Sequence, residues 1–201
     1  HKYIPELYAR GVRNFVVTDV PEQLSHYADA NFLQVGNTLK ALQRLAAKHR
    51  EQFQVPVVGI TGSNGKTVVK EWIYQLLSPE KVITRSPRSY NSQIGVPLSV
   101  WMMNEHTELG IFEAGISEMG EMEALQPIIQ PTIGVLTNIG WAHQENFSSL
   151  QDKCMEKLQL FKGCDVIIYN GDNELISSCV SKSLFTSLEI AWSMRDNERP
   201  L

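Results

Sequence analysis

Cysteine is nearly absent: Cys154, Cys164 and Cys179 are the three in 201 residues, an odd number with no C-x-x-C spacing. That excludes a disulfide framework and a zinc ribbon, and makes a reducing compartment the expectation. Long apolar runs are missing too; the stretch from Val55 to Ile60 is among the longest and falls far short of a membrane span. No charge of one sign dominates, since 18 Lys+Arg against 22 Asp+Glu leave a formal net charge of −4. Such a chain has no long-range attraction for DNA or an anionic membrane surface. Internal repeats, low-complexity tracts, heptads and a secretory leader pattern are also lacking. Yet 43% hydrophobic and 20% charged residues are ordinary for a folded domain, which excludes disorder. The length suits one full α/β domain plus a smaller piece. The chain opens on His1 in place of Met and stops at Pro200-Leu201, which reads as part of a longer cytoplasmic protein.

What is present is regular alternation. In residues 1–54, Ile4 to Ala9 reads as a short helix and Asn14 to Thr18 as a β-branched strand. Leu39, Leu42, Leu45 and Ala46 give Leu39 to Phe53 the spacing of an amphipathic helix. From Val55 onward, strands are expected at Val57–Thr61, Val82–Arg85, Leu109–Ala114, Thr132–Asn138, Asp165–Tyr169 and Leu188–Trp192. Helical patterns lie between them, including Glu121–Ile129, Leu150–Phe161 and Glu174–Leu184. In the helix after the first of these strands, Val68, Val69, Trp72, Ile73, Leu76 and Leu77 mark an apolar face. Strands alternating with helices imply an α/β fold, a mostly parallel sheet with helices on both faces, preceded by part of a small α/β domain.

The chemistry concentrates at strand ends. Thr61-Gly-Ser-Asn-Gly-Lys-Thr67 follows one strand and opens a helix. Gly62 and Gly65 let backbone approach a polyphosphate, the helix start favours negative charge, Lys66 suits the β/γ-phosphates and the Thr67 hydroxyl suits Mg²⁺. Ile60 stands where the strict G-x-x-x-x-G-K-[ST] pattern requires Gly, so this is a shorter variant of the P-loop. A magnesium site needs a second acid at a neighbouring strand end, and Glu113 in Leu109-Gly-Ile-Phe-Glu-Ala-Gly115 supplies one. Glu118, Glu121 and Glu123 read as capping and solvating the next helix. Asn138 and His143 fall at the carboxyl end of another strand, where ligands bind in open α/β sheets. Position alone leaves His143 open between a structural role and a metal or phosphate contact. Asn91-Ser-Gln-Ile-Gly-Val-Pro97 opens a further helix; Pro97 suits a first turn, whereas the polar Tyr90 to Gln93 is not explained by that.

Taken together, Thr61–Thr67, Asn91–Pro97, Glu113-Ala-Gly115, Thr137–Gly140 with Ala142-His143, and Lys157 before Phe161 resemble the Mur ligase family of ATP-dependent amide-forming enzymes. The resemblance runs from about residue 1 to 195. Tyr90 to Leu98, with His1 to Pro5 and Gly11 to Val17, is most similar to the member that adds D-alanyl-D-alanine to UDP-N-acetylmuramoyl-tripeptide. The resemblance implies a UDP-substrate-binding domain, of which residues 1–54 are part, a central ATP-binding domain at 55–201, and a C-terminal domain absent from this chain. It implies ATP and Mg²⁺, with Thr61, Gly62, Ser63, Asn64, Gly65, Lys66, Thr67 and Asn138 at the nucleotide. It also implies metal contacts from Thr67, Glu113, His143 and a carbamylated Lys157, with Lys66, Lys157 and His143 catalytic. Asn91 and Ser92 fall on the substrate side. Where relatives often carry Glu two residues after the modified lysine, this chain has Gln159. The implied reaction is a cytoplasmic ligation through an acyl phosphate, by a monomeric module, in peptidoglycan precursor synthesis. A Mur-type or folylpolyglutamate-type ligase with another amine remains an alternative, as does a non-ligase P-loop module, although Ile60 and Glu113 argue against the last.

Overall fold

The computed structural model describes residues 2–141 and 146–195. Its first unit comprises α1 (Ile4–Ala9), β1 (Asn14–Val17), a 3-10 turn at Leu24–Tyr27 and β2 (Asn31–Gln34). β1 and β2 pair in parallel with Asn14 opposite Asn31. Buried Ile4, Phe15 and Val17 make a small separate core, where Phe15 stacks on Phe32 with ring centroids 5.2 Å apart. The sequence reading did not foresee β2, a four-residue strand flanked by turns.

α2 (Thr38–Arg50) starts where the Asn37 side chain accepts a hydrogen bond from the Lys40 amide at 2.9 Å. It packs on the large unit, with Ala46 wholly buried in the main core. Arg50, also buried, donates to the carbonyls of Phe53, Ile129 and Gln130. The bonds to Ile129 and Gln130 satisfy carbonyls at the end of α5 (Glu121–Ile129).

The large unit runs β3 (Val57–Thr61), α3 (Lys66–Leu77), β4 (Ile83–Arg85), α4 (Gly95–Val100), β5 (Leu109–Glu113), α5, β6 (Ile133–Leu136), α6 (Leu150–Leu158), β7 (Val166–Asn170), α7 (Glu174–Lys182) and β8 (Leu188–Trp192). All strands are parallel, in the order β4-β5-β3-β6-β7-β8. β3 and β5 are buried at every position, as interior parallel strands covered on both faces must be. α2, α4, α5, α6 and α7 build one continuous core on one face, around Val57, Phe112, Leu136 and Ile167. On the other face Val69 and Ile73 of α3 pack on Val58, Ile60, Leu109 and Ile111. The chain leaves β3 toward β4 and leaves β6 toward β7, so a crevice opens between the carboxyl ends of β3 and β6.

Two expectations need correcting. The apolar face of α3 is split: Val69 and Ile73 pack inward, whereas Val68, Trp72 and Leu76 are 51, 64 and 77% exposed. The wholly buried side chain of this helix is Lys70. Thr67 and Lys70 are both tied to Glu113, and those ties set the rotation of the helix. The helix expected through Phe161 ends at Leu158 and tightens into a 3-10 turn, Gln159–Phe161.

Candidate active site: a glycine-rich loop, a buried carboxylate and three lysines

The loop between β3 and α3 is shaped by backbone that only glycine adopts cheaply. Gly62 has φ +144° and Gly65 φ +82°. A Cβ on Gly62 would sit 2.0 Å from Thr137 Oγ1, so the close approach of β6 also demands glycine. Asn138 braces the loop on three sides: its carbonyl accepts from Ser63 N at 2.8 Å, its Oδ1 accepts from Asn64 N at 3.0 Å, and its Nδ2 donates to Asn64 O at 3.2 Å. Asn138 therefore shapes the loop. Thr61 is similarly occupied, its buried hydroxyl donating to Ala114 O at 2.8 Å and locking β3 to the end of β5. The first turn of α3 then presents amides that have no partner within the helix, at its positive end.

Lys66 opens α3 and its ammonium donates to Gly62 O at 2.9 Å. Burial lowers its pKa from the ordinary lysine value, Glu113 opposes that and Lys153 adds to it. Thr67 donates its hydroxyl to Glu113 Oε2 at 3.0 Å, with Asn91 Nδ2 3.4 Å from the same oxygen. Glu113 is wholly buried at the end of β5. Its other oxygen, Oε1, lies 2.9 Å from the Lys70 ammonium, off the angle of a hydrogen bond, and accepts none. A buried carboxylate with an orphan oxygen beside a threonine hydroxyl is a hard, oxygen-only donor set. That set fits Mg²⁺ and does not fit a soft metal. His143, the further metal candidate, lies outside the described residues.

Lys157 is 2% exposed on α6. Burial is the main reason its pKa falls to about 7, with Lys66 and Lys153 adding repulsion. Its amine is thus substantially neutral near physiological pH. Lys66, Lys153 and Lys157 line one cavity of about 450 Å³ with Gly62, Ser63, Asn91, Ser92 and Gly115. Ser92 also accepts from Gly95 N at 3.1 Å, which closes the turn into α4. The expected residues Gly62, Ser63, Lys66, Asn91, Ser92 and Lys157 therefore share a cavity, and the pair of Thr67 and Glu113 is joined to it through Asn91.

Sequence reasoning missed Lys70 and Lys153. Both carried a signal: Lys70 is four residues after Lys66, and Lys153 four before Lys157, so each shares a helical face with a residue already singled out. Lys70 Nζ donates to Ser86 O at 2.8 Å and to Arg88 O, so one buried ammonium holds both Glu113 and the turn that leads to Asn91.

A family model for the Mur ligase middle domain matches residues 60–198 of this chain. The chain belongs to the Mur ligase family. This Mur ligase chain is 32% identical to the UDP-N-acetylmuramoyl-tripeptide–D-alanyl-D-alanine ligase of Bacillus subtilis, over 98% of its own length and 44% of the relative's. To the ligase of the same name from Borreliella burgdorferi it is 38% identical, over 71% of its length and 31% of that protein. A crystal structure of MurF from Acinetobacter baumannii superposes with a TM-score of 0.83 at 26% identity, covering 96% of this chain and 42% of that one. The chain thus spans less than half the length of these relatives. Among the described residues, no helix is long and apolar enough to cross a membrane.

Proposed function

We propose that this chain carries the nucleotide-binding and carboxylate-activating site of a cytoplasmic, monomeric ATP-dependent ligase that joins D-alanyl-D-alanine to UDP-N-acetylmuramoyl-tripeptide. In this reading residues 1–54 are part of a UDP-substrate-binding domain and residues 55–201 the central ATP-binding domain. The observation that carries it is the buried Glu113 carboxylate brought to the Thr67 hydroxyl at the foot of a loop that exposes helix-start amides. The names and identities of the relatives support the choice of substrates.

The reaction must bring a substrate carboxylate against the γ-phosphate of ATP, two anions that repel. The loop amides and Lys66 hold the phosphate tail, which fixes the γ-phosphorus in line with the incoming oxygen. Thr67 and Glu113 would hold Mg²⁺, and a bound Mg²⁺ supplies Lewis-acid withdrawal of charge from the phosphate oxygens. Lys70 holds the Glu113 carboxylate in place through their buried ion pair. Asn91 and Ser92, which line the same cavity as Lys66, orient the substrate carboxylate. Lys157 loses a proton readily and its neutral amine can add CO₂, releasing a proton and leaving a carbamate anion in the cavity it shares with Lys66. After phosphoryl transfer, attack by the amine of the dipeptide on the acyl carbon expels phosphate. No nucleophilic side chain is needed, because positioning and fixed charge supply the catalysis.

The test is product formation by the full-length protein with ATP, Mg²⁺ and UDP-N-acetylmuramoyl-tripeptide, offered D-alanyl-D-alanine, glutamate or single amino acids in parallel. The pentapeptide product with D-alanyl-D-alanine is expected. Ligation only with glutamate or a single amino acid would replace this assignment.

A further inference from the structure

α3 is turned in a way that apolar packing does not favour. It leaves Trp72 and Leu76 exposed and buries the Lys70 side chain completely. Replacing a buried ion pair by apolar residues is often neutral or stabilising, so stability alone does not account for a lysine here. A helix that breaks its own apolar pattern is answering a constraint other than burial.

The contacts of Lys70 identify that constraint. Its ammonium lies 2.9 Å from Glu113 Oε1 and 3.2 Å from Glu71 Oε1. It also donates to Ser86 O at 2.8 Å and to Arg88 O. Both carbonyls belong to the turn between β4 and α4, and that turn is fastened to the end of β5. Buried Ser86 accepts from Glu113 N through its Oγ at 3.1 Å. Arg88 has φ +50°, a left-handed conformation uncommon for such a residue, and its carbonyl is held by Lys70. Three residues on, Asn91 O accepts from Gly115 N at 2.7 Å, and Asn91 Nδ2 stands 3.4 Å from Glu113 Oε2. The fit there is close, since a Cβ on Gly115 would lie 2.9 Å from Asn91 Oδ1. The turn and the end of β5 are thus clasped at Ser86 and again at Asn91, and Lys70 joins the same two segments from α3.

We propose that Lys70 is a positioning residue for the ligation: one ammonium fixes the metal-side carboxylate of Glu113 and the substrate-side segment ending in Asn91 in a single register. This rests on the assignment of Glu113 to Mg²⁺ and of Asn91 to the substrate carboxylate given above. Phosphoryl transfer needs the substrate oxygen in line with a phosphorus held by the loop and the metal, and small misplacements between the two are costly in rate. Lys70 acts through Glu113 and Asn91. The nucleotide-binding loop does not depend on it, because Lys66 and the loop amides are braced by Gly62 and Asn138.

The test separates placement from stability. Full-length Lys70→Met is assayed for amide formation well below its melting temperature, with ATP, Mg²⁺, UDP-N-acetylmuramoyl-tripeptide and D-alanyl-D-alanine. A loss on the order of tenfold to a hundredfold in kcat is expected, with KM for ATP changed by less than about threefold. Calorimetry gives a readout without turnover: Lys70→Met should need about tenfold more Mg²⁺ than wild type for the same strengthening of nucleotide binding, the scale of one charge-assisted hydrogen bond. Exposed Arg88 tests the other end without disturbing the core. Arg88→Gly accepts a positive φ freely, whereas Arg88→Pro is locked at about −65°. Arg88→Pro is expected to fall at least about tenfold below Arg88→Gly in kcat, with the Mg²⁺ effect on nucleotide binding intact. A folded Lys70→Met with wild-type kcat, a loss confined to KM for ATP, or equal kcat in the two Arg88 variants would overturn the proposal. If Lys70→Met does not fold, the Arg88 pair decides. Nucleotide binding that is indifferent to Mg²⁺ in the wild-type protein would overturn the metal assignment itself, and this proposal with it.

Discussion

Replacing Glu113 by Gln perturbs the one carboxylate on which the site is organised. Oε2 receives Thr67 at 3.0 Å and Asn91 at 3.4 Å, and Oε1 faces the Lys70 ammonium at 2.9 Å. Glutamine keeps the shape and one acceptor but leaves Lys70 without its nearest counter-charge. Removing one partner of a buried ion pair typically costs about 3–5 kcal/mol. Here Lys70 retains the carbonyls of Ser86 and Arg88 and a second carboxylate, Glu71, at 3.2 Å. The loss is therefore expected nearer that of a charged hydrogen bond, about 2–3 kcal/mol. For a domain of this size that lowers the melting temperature by about 4–12 °C. Circular dichroism melts of Glu113→Gln, Lys70→Met and the double variant check this. The double variant should be less destabilised than the sum of the singles by roughly 1–3 kcal/mol, because the second substitution removes a charge already stranded by the first. Calorimetry gives a second readout, as Mg²⁺ should no longer strengthen nucleotide binding in Glu113→Gln. A melting temperature within a degree of wild type, strict additivity, or an intact Mg²⁺ effect would refute the reasoning.

Lys66→Ala should weaken nucleotide binding by about 1.5–3 kcal/mol with folding little changed, measured by calorimetry; unaltered affinity in a folded variant would remove Lys66 from the phosphates. Gly62→Ala places a Cβ 2.0 Å from Thr137 Oγ1 at a φ of +144°, so the loop must shift and nucleotide binding should be lost even where a melt shows the domain folded. The Lys157 amine, with a pKa of about 7, is protonated below that value and neutral above it. ¹³CO₂ should therefore yield a carbamate NMR signal that grows as pH rises from 6 to 8 and vanishes in Lys157→Met. The same depression makes a pH effect on stability: the unfolded lysine binds a proton that the folded one lacks between about pH 7 and its ordinary pKa, so this group's penalty shrinks as pH rises through that window. A signal that is flat with pH, or persists in Lys157→Met, would contradict the assignment.

Much of the fold was legible because its strands are short, apolar and punctuated. Val57–Thr61, Leu188–Trp192 and Glu121–Ile129 fall where alternation and flanking glycine or acid placed them. β2 was not, since Asn31-Phe-Leu-Gln34 is too brief to show a period. α3 was misread because periodicity counts apolar residues, whereas a buried ion pair with Glu113 fixes this helix's rotation and leaves Trp72 and Leu76 outside. At the site, glycines, Lys66 and Glu113 could be read one at a time. The contacts by which Thr61 and Asn138 brace the loop could not be read so, because they depend on what the neighbouring strand end offers those side chains. Lys70 and Lys153 were hidden for a related reason: a lysine in a helical pattern reads as solvated until packing shows that its ammonium is held by backbone carbonyls.

The central claim is that this pocket activates a carboxylate by passing it a phosphoryl group. Oxygen transfer measures that step directly. UDP-N-acetylmuramoyl-tripeptide labelled with ¹⁸O in its terminal carboxylate, turned over by the full-length protein with ATP and D-alanyl-D-alanine, should give inorganic phosphate that carries one ¹⁸O per amide formed. Amide formation with unlabelled phosphate would contradict it.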